Sequence, residues 1–137
     1  LNRPNKVAVH VRRTDYVQLQ DHHPLCGMDY YQECMNYFPE NSTYFIFSDD
    51  MEWCKQAFPS DDSQFIYIEN QTDIADFTLM TQCDHYCICN STFSWWPAWL
   101  SAKSDKIITA PKNWFGPANI SNNIVADDIY CNGWIIV

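Results

Sequence analysis

The sequence predicts an α/β domain of the Rossmann-like kind, a parallel sheet with a helix in each connection. Three observations lead there. Short β-branched or aromatic runs alternate with single helical segments, the mark of crossover units rather than hairpins. The loops between them are short, with no repeat, linker or low-complexity stretch. At 137 residues, 47% of them apolar and including six Trp, eight Tyr and eight Phe, the chain is long enough for one domain with a real core.

The first strand rests on Val7, Val9 and Val11 alternating with Ala8, His10 and Arg12, a period of two in residues that suit a strand. It ends in the polar stretch Arg13-Thr14-Asp15-Tyr16. After a loop with Pro24, Tyr31, Cys34, Met35 and Phe38 recur at helical spacing, so Met28 to Phe38 reads as a helix stopped by Pro39. Thr43 to Phe47 is the second strand, and either Ser48 or Asp49 caps a helix from Met51 to Phe58. Phe65 to Ile68 is the third strand. Thr72 to Cys83 reads as a helix with Ile74, Phe77 and Met80 along one stripe and Asp73 and Asp76 near its positive end. Tyr86 to Cys89 is the fourth strand. Asn90-Ser91-Thr92 is a turn and cap leading into a helix from Phe93 to about Ala102, with Pro97 early enough to be tolerated. Lys106 to Thr109 is the fifth strand. Beyond it, Asn113 to Asn123 reads as loop, Asp127 to Tyr130 as a short helix or turn, and Trp134 to Val137 as an apolar end. Polar clusters at His10 to Asp15, Ser48 to Asp50 and Asn90 to Ser94 thus follow three strands, and such sheets bind ligands beyond their strand C-terminal ends.

Charge narrows the partners. Net charge is -9, yet residues 1 to 13 hold Arg3, Lys6, Arg12 and Arg13 and no acid, while the remainder holds four Lys and all 17 acids. A non-specific nucleic-acid binder needs a broad basic surface, so nucleic acid is not an expected partner. A small anion needs only a patch such as Arg12-Arg13. With three Gly, a glycine-rich nucleotide loop is not expected, and no GxGxxG, HExxH, GxSxG, Walker or EF-hand pattern occurs. The seven cysteines, Cys26, Cys34, Cys54, Cys83, Cys87, Cys89 and Cys131, do not read as a disulfide scaffold at this length, although one or two bridges stay open. Cys83, Cys87 and Cys89 lack the paired spacing of a structural zinc site, and Cys87 and Cys89 read as buried small hydrophobes, so no metal is expected. No run of 18 apolar residues occurs. Four sequons lie at Asn41, Asn70, Asn90 and Asn119.

The candidate groups each carry two readings. Arg12 and Arg13 leave the strand together and could grip phosphate through paired donors, or form salt bridges on a solvated face. His10 is a donor to phosphate or ribose, or a hydrogen-bonded core histidine. Asp15 orients an arginine, binds a ligand hydroxyl, or serves as a general base. Asn90, Ser91, Thr92 and Ser94 offer hydroxyls and backbone N–H groups at a helix start, which binds phosphate by geometry and dipole; ordinary capping is the other reading. Asp49 and Asp50 suit a ribose, a base edge or a cap. Trp95, Trp96 and Trp99 read as packing. Asp73 and Asp76 are only superficially a glycosidase pair. The residues alone therefore describe a Rossmann-like domain that binds a phosphorylated small ligand.

Two segments go further. His10-Val11-Arg12-Arg13-Thr14-Asp15-Tyr16 resembles the HxRRxDY motif of alpha-1,2-fucosyltransferases, shared more loosely with alpha-1,6- and protein O-fucosyltransferases. Asp76 to His85, continuing through Asn90-Ser91-Thr92-Phe93-Ser94-Trp95-Trp96-Pro97-Ala98-Trp99-Leu100, resembles the other block of that family (glycosyltransferase family 11), and Phe47-Ser48-Asp49-Asp50 with Trp53-Cys54 fits between them. Thr14 stands where the alpha-1,2 group commonly has glycine. The resemblance implies a GT-B enzyme in which residues 1–137 form the C-terminal GDP-fucose-binding domain, with the N-terminal acceptor-side domain absent from them. It implies that Arg13 binds the β-phosphate and stabilises the leaving diphosphate, and that His10 and Arg12 support donor binding. Asp15, the catalytic candidate beside Arg13, helps organise the site or contacts the nucleotide, Asp49 lies near the nucleoside, and Asn90, Ser91, Thr92 and Ser94 lie near the diphosphate. The implied reaction moves L-fucose from GDP-fucose to a galactose-containing glycan, forming an alpha-1,2 linkage with inversion and without metal or cofactor. The alternatives are a non-catalytic nucleotide-sugar- or glycan-binding module and a GT-B transferase using another nucleotide sugar. Membrane association would come only through a segment outside these residues. Bacterial members are cytoplasmic and Golgi members membrane-anchored, so compartment stays open, as does oligomeric state.

Overall fold

A computed structural model describes residues 3–14, 16–17, 24–58, 64–116 and 129–137. Its elements are β1 (Lys6–Val11), α1 (Met28–Met35), β2 (Thr43–Ser48), α2 (Met51–Ala57), β3 (Phe65–Tyr67), α3 (Asp73–Thr81), β4 (His85–Cys87), α4 (Thr92–Leu100), β5 (Ile108–Ala110) and β6 (Ile135–Ile136). The six strands form one sheet in the order β3-β2-β1-β4-β5-β6, and every pairing is parallel. This is the doubly wound order whose direction of winding reverses between β1 and β4, so a crevice opens beyond the C-terminal ends of those two strands.

The alternation read in β1 sorts its side chains between two cores. Val7, Val9 and Val11 pack with Tyr31 and Cys34 of α1, Cys54 of α2 and Phe58. Ala8 faces the other side, with Phe45, Phe47, Met80, Tyr86 and Ala98. Helices thus cover both faces, as a parallel sheet requires.

Several boundaries move for physical reasons. The first helix ends at Met35, not Phe38: the amides of Asn36, Tyr37 and Phe38 bond to carbonyls three residues back, at Glu33, Cys34 and Met35. This tighter last turn satisfies the helix end ahead of Pro39. The α2 cap is Asp50, which accepts from Trp53 N–H, rather than Ser48 or Asp49. Ser48 instead accepts from Asp50 N–H and donates to Val11 O. Ile74 is 80% exposed; Asp73 to Ala75 are exposed, Asp76 and Phe77 are half-buried and only Met80 is fully buried, so the expected stripe narrows to its C-terminal end. Pro97 lies in the second turn of α4, where the Phe93 carbonyl loses its amide partner. A sixth strand, not expected from the sequence, runs at the sheet edge beside β5, and Val137 N–H donates to Ala110 O just beyond it. All seven cysteines are free, with Cys34, Cys54, Cys83, Cys87 and Cys89 buried. Among the described residues no helix is long and apolar enough to cross a membrane.

Candidate functional site

Beyond the ends of β1 and β4 lies a cavity of ≈ 640 Å³, the size of small-molecule sites generally. Arg12 and Tyr16 line it from the β1 side, Asn90, Ser91 and Thr92 from the start of α4, and Phe93, Trp96 and Trp114 supply apolar wall. A smaller pocket of ≈ 100 Å³ adjoins, between His10, Ser48, Asp49 and the first turn of α3 with Asp73 and Asp76; Arg12 and Phe93 line both.

The two arginines part company. Side chains keep alternating past the end of β1, so Arg12 follows His10 to the cavity side and Arg13 follows Val11 to the α2 side. Arg12 Nε lies 3.3 Å from Asp49 Oδ2, and its guanidinium stands 5.7 Å over the Tyr16 ring. Arg13 Nε lies 3.4 Å from Asp50 Oδ2, with its guanidinium 4.3 Å from the Trp53 ring centre. Among the described residues that line the cavity, Arg12 is the one cation.

Asp49 builds the turn after β1. Its carboxylate accepts from Arg13 N–H (2.9 Å), Thr14 N–H (3.2 Å) and the Thr14 hydroxyl (2.6 Å). It therefore fixes the direction in which Arg12 leaves the strand. Asp15, expected to organise the site, lies outside the described residues.

His10 is 5% exposed, with Nδ1 2.9 Å from Ser94 Oγ and 3.2 Å from Cys89 Sγ. Ser94 Oγ donates to Ser91 O (3.3 Å), so it is left to accept from His10 Nδ1–H, which puts the imidazole lone pair on Nε2. Burial lowers the His10 pKa to about 4, outweighing the pull of Asp49, with Arg12 adding to the depression. His10 is neutral at pH 7.

The start of α4 is partly occupied by its own capping. Ser91 Oγ accepts from Phe93 N–H, and Ser94 is buried behind His10, away from the cavity. Thr92 is exposed at the cavity edge. Asn90 is a strut: its amide donates to Pro24 O and Trp114 O, and its carbonyl accepts from Tyr16 Oη. A glycan on this sequon is incompatible with the fold, because the amide nitrogen is buried between two carbonyls. The sequon at Asn119 lies outside the described residues.

Two features were missed in the sequence. Asp76 Oδ1 is buried with no hydrogen-bond partner, and burial followed by Asp73 raises its pKa. An orphan acceptor of this kind is costly unless a ligand satisfies it. Asp76 opens the second block of the family resemblance, but no sequence signal shows that its carboxylate is left without a partner. Second, Trp95 packs against the core as expected, but Trp96 and Trp99 of α4 are not simple packing. Ser94, Pro97 and Ala98 face the sheet, Trp95 is half-buried with its Nε1–H on Ile129 O (2.8 Å), and Trp96 and Trp99 are 46% and 52% exposed. Leaving half an indole in water forgoes roughly 2–3 kcal/mol of burial each.

This arrangement can hold an anion at Arg12 and the helix start, with a neutral heterocycle beside it. A sequence profile described as "Glycosyl transferase family 11" matches residues 1–137. The chain belongs to glycosyltransferase family 11. It is 43% identical over 122 residues to an alpha-1,2-colitosyltransferase of Escherichia coli, covering 81% of this chain and 41% of that protein. It is 32% identical over 125 residues to the O-antigen biosynthesis glycosyltransferase WbnK of Escherichia coli, covering 85% and 41%. It is 31% identical over 104 residues to galactoside alpha-(1,2)-fucosyltransferase 1 of Homo sapiens, covering 69% and 28%. The chain thus spans well under half the length of these family 11 relatives. No solved structure matches it.

Proposed function

We propose that this family 11 domain is the nucleotide-sugar side of a glycosyltransferase that moves L-fucose from GDP-fucose to a galactoside hydroxyl, forming an alpha-1,2 linkage. The observation that carries the reading is the ≈ 640 Å³ cavity at the β1–β4 switch point, where Arg12 meets the start of α4. A diphosphate there gains a guanidinium and the positive end of a helix. Guanine suits the acidic lining of the adjoining pocket, Asp49, Asp73 and Asp76, because its N1–H and 2-amino group supply two donors to carboxylate oxygens, whereas uracil offers a single N–H between carbonyls.

The reaction breaks the bond from fucose C1 to the β-phosphate oxygen, and GDP leaves with the electron pair. The acceptor oxygen bonds C1 from the opposite face, and its proton passes to a base. Cationic side chains aimed at the departing diphosphate stabilise the charge that develops there, which needs no metal. Arg12 is placed for that role. Arg13, to which the motif resemblance assigns the β-phosphate, would do so by exchanging Asp50 for phosphate. Asp15 is the further residue we assign to organising the site.

The 43% identity to an alpha-1,2-colitosyltransferase supports a second reading in which the sugar moved is colitose. Calorimetric titration with GDP and UDP tests the nucleotide. We expect GDP to bind at least tenfold more tightly than UDP, and Arg12→Ala to weaken GDP by about 1.5–3 kcal/mol, the scale of a charged hydrogen bond. Equal binding of the two nucleotides, or none by the folded chain, refutes the proposal. Comparing GDP-fucose with GDP-colitose then separates the sugars.

A further inference from the structure

We propose that Trp96 is the stacking platform for the pyranose ring of the acceptor, a β-galactoside, rather than a packing residue; this rests on the reading of the cavity as the donor site. Trp96 lines that cavity and is 46% exposed. It follows Thr92 by four residues, so the two side chains lie on one helix face, about 6 Å apart along the axis. That rise is close to the length of one sugar ring. A diphosphate at the helix start therefore puts the reacting sugar carbon, and the hydroxyl that attacks it, within a ring's length of the indole.

The ring is held for the purpose. It stands at 81° to Trp95, with ring centres 4.8 Å apart, and at 84° to Trp99 at 5.9 Å, while Trp95 and Trp99 stack within 8° of parallel. Trp95 is in turn fixed by its bond to Ile129 O. An exposed indole pinned by two others has little rotamer freedom to lose on binding. One face of galactose carries a patch of C–H groups, and their positive edge suits the negative face of an indole. The small residues on the sheet-facing side of α4 leave Trp96 no core to fill.

The test uses methyl β-D-galactopyranoside, titrated into the GDP-saturated chain and followed by ligand-observed NMR. We expect Trp96→Ala to weaken galactoside binding at least tenfold and leave the GDP dissociation constant within twofold. Trp96→Phe should restore galactoside binding to within threefold of wild type. Leu100→Ala, which removes an exposed apolar residue of the same helix outside the cavity, should change neither. Galactoside binding unaltered in Trp96→Ala, or none by the GDP-bound wild type, overturns the assignment. Loss of GDP-fucose affinity without change in GDP affinity overturns it too, because the platform would then serve the donor sugar. Failure of the wild type to bind GDP would instead strike the donor-site reading beneath it.

Discussion

Acid should destabilise this fold through His10, and the size of the effect follows from the structure. His10 is buried, neutral, and bonded through Nδ1 to Ser94, with its pKa lowered from 6.5 to about 4. Between those two values the unfolded chain binds a proton that the native state refuses. Stability therefore rises with pH across that window: the contribution is complete above pH 6.5 and is lost as pH falls toward 4. Linkage puts the loss at about 2 kcal/mol by pH 5 and about 3 kcal/mol at the bottom of the window. The clean perturbation is His10→Asn, whose side-chain amide can still donate to Ser94 but does not titrate. Urea unfolding of both proteins at pH 7.5, 6, 5 and 4.5 gives the difference, in which contributions common to both, including His85 and Asp84, cancel. The wild type should lose about 2 kcal/mol more than His10→Asn between pH 7.5 and pH 5. Parallel pH profiles would refute the burial of a neutral imidazole at this site.

Two further substitutions probe the same region. Asp49→Ala removes three hydrogen bonds from the turn at Arg13 and Thr14 and should cost about 1–3 kcal/mol in urea unfolding, with GDP affinity falling because Arg12 loses its bearing. Asp76→Asn keeps the shape of the side chain and removes a negative charge that burial and Asp73 disfavour; stability should hold or rise, while the preference for GDP over UDP in calorimetry should fall at least tenfold.

The sheet was legible because its signals are local. Five strands show as short β-branched or aromatic runs, and the alternation of Val7, Val9 and Val11 with Ala8 and His10 describes how β1 divides its side chains between two helical layers. The polar clusters at Arg12, Asp49 and Asn90 do come together beyond the strand ends, since parallel crossovers bring those ends to one edge. What the sequence hides depends on contacts distant along the chain. β6 is two residues long and exists by pairing with β5 at the edge. Arg12 and Arg13 look equivalent until strand parity sends one to the cavity and the other to Asp50 and Trp53. The tryptophans of α4 read as core by composition, yet small residues turn toward the sheet and leave Trp96 at the cavity wall. The isolation of Asp76 Oδ1 is a property of its pocket and has no sequence pattern at all.

The central claim is that a nucleoside diphosphate binds where β1 and β4 diverge. It is tested most directly by amide NMR of the labelled chain as GDP is added. The account predicts that the largest shifts fall on the amides of Val11 to Thr14 and Asn90 to Phe93. The other basic cluster, Lys6 and Lys103 around Asp84 at the opposite end of the sheet, should stay unmoved. Shifts concentrated at Lys6, Asp84 and Lys103, with Arg12 and Thr92 silent, would contradict it.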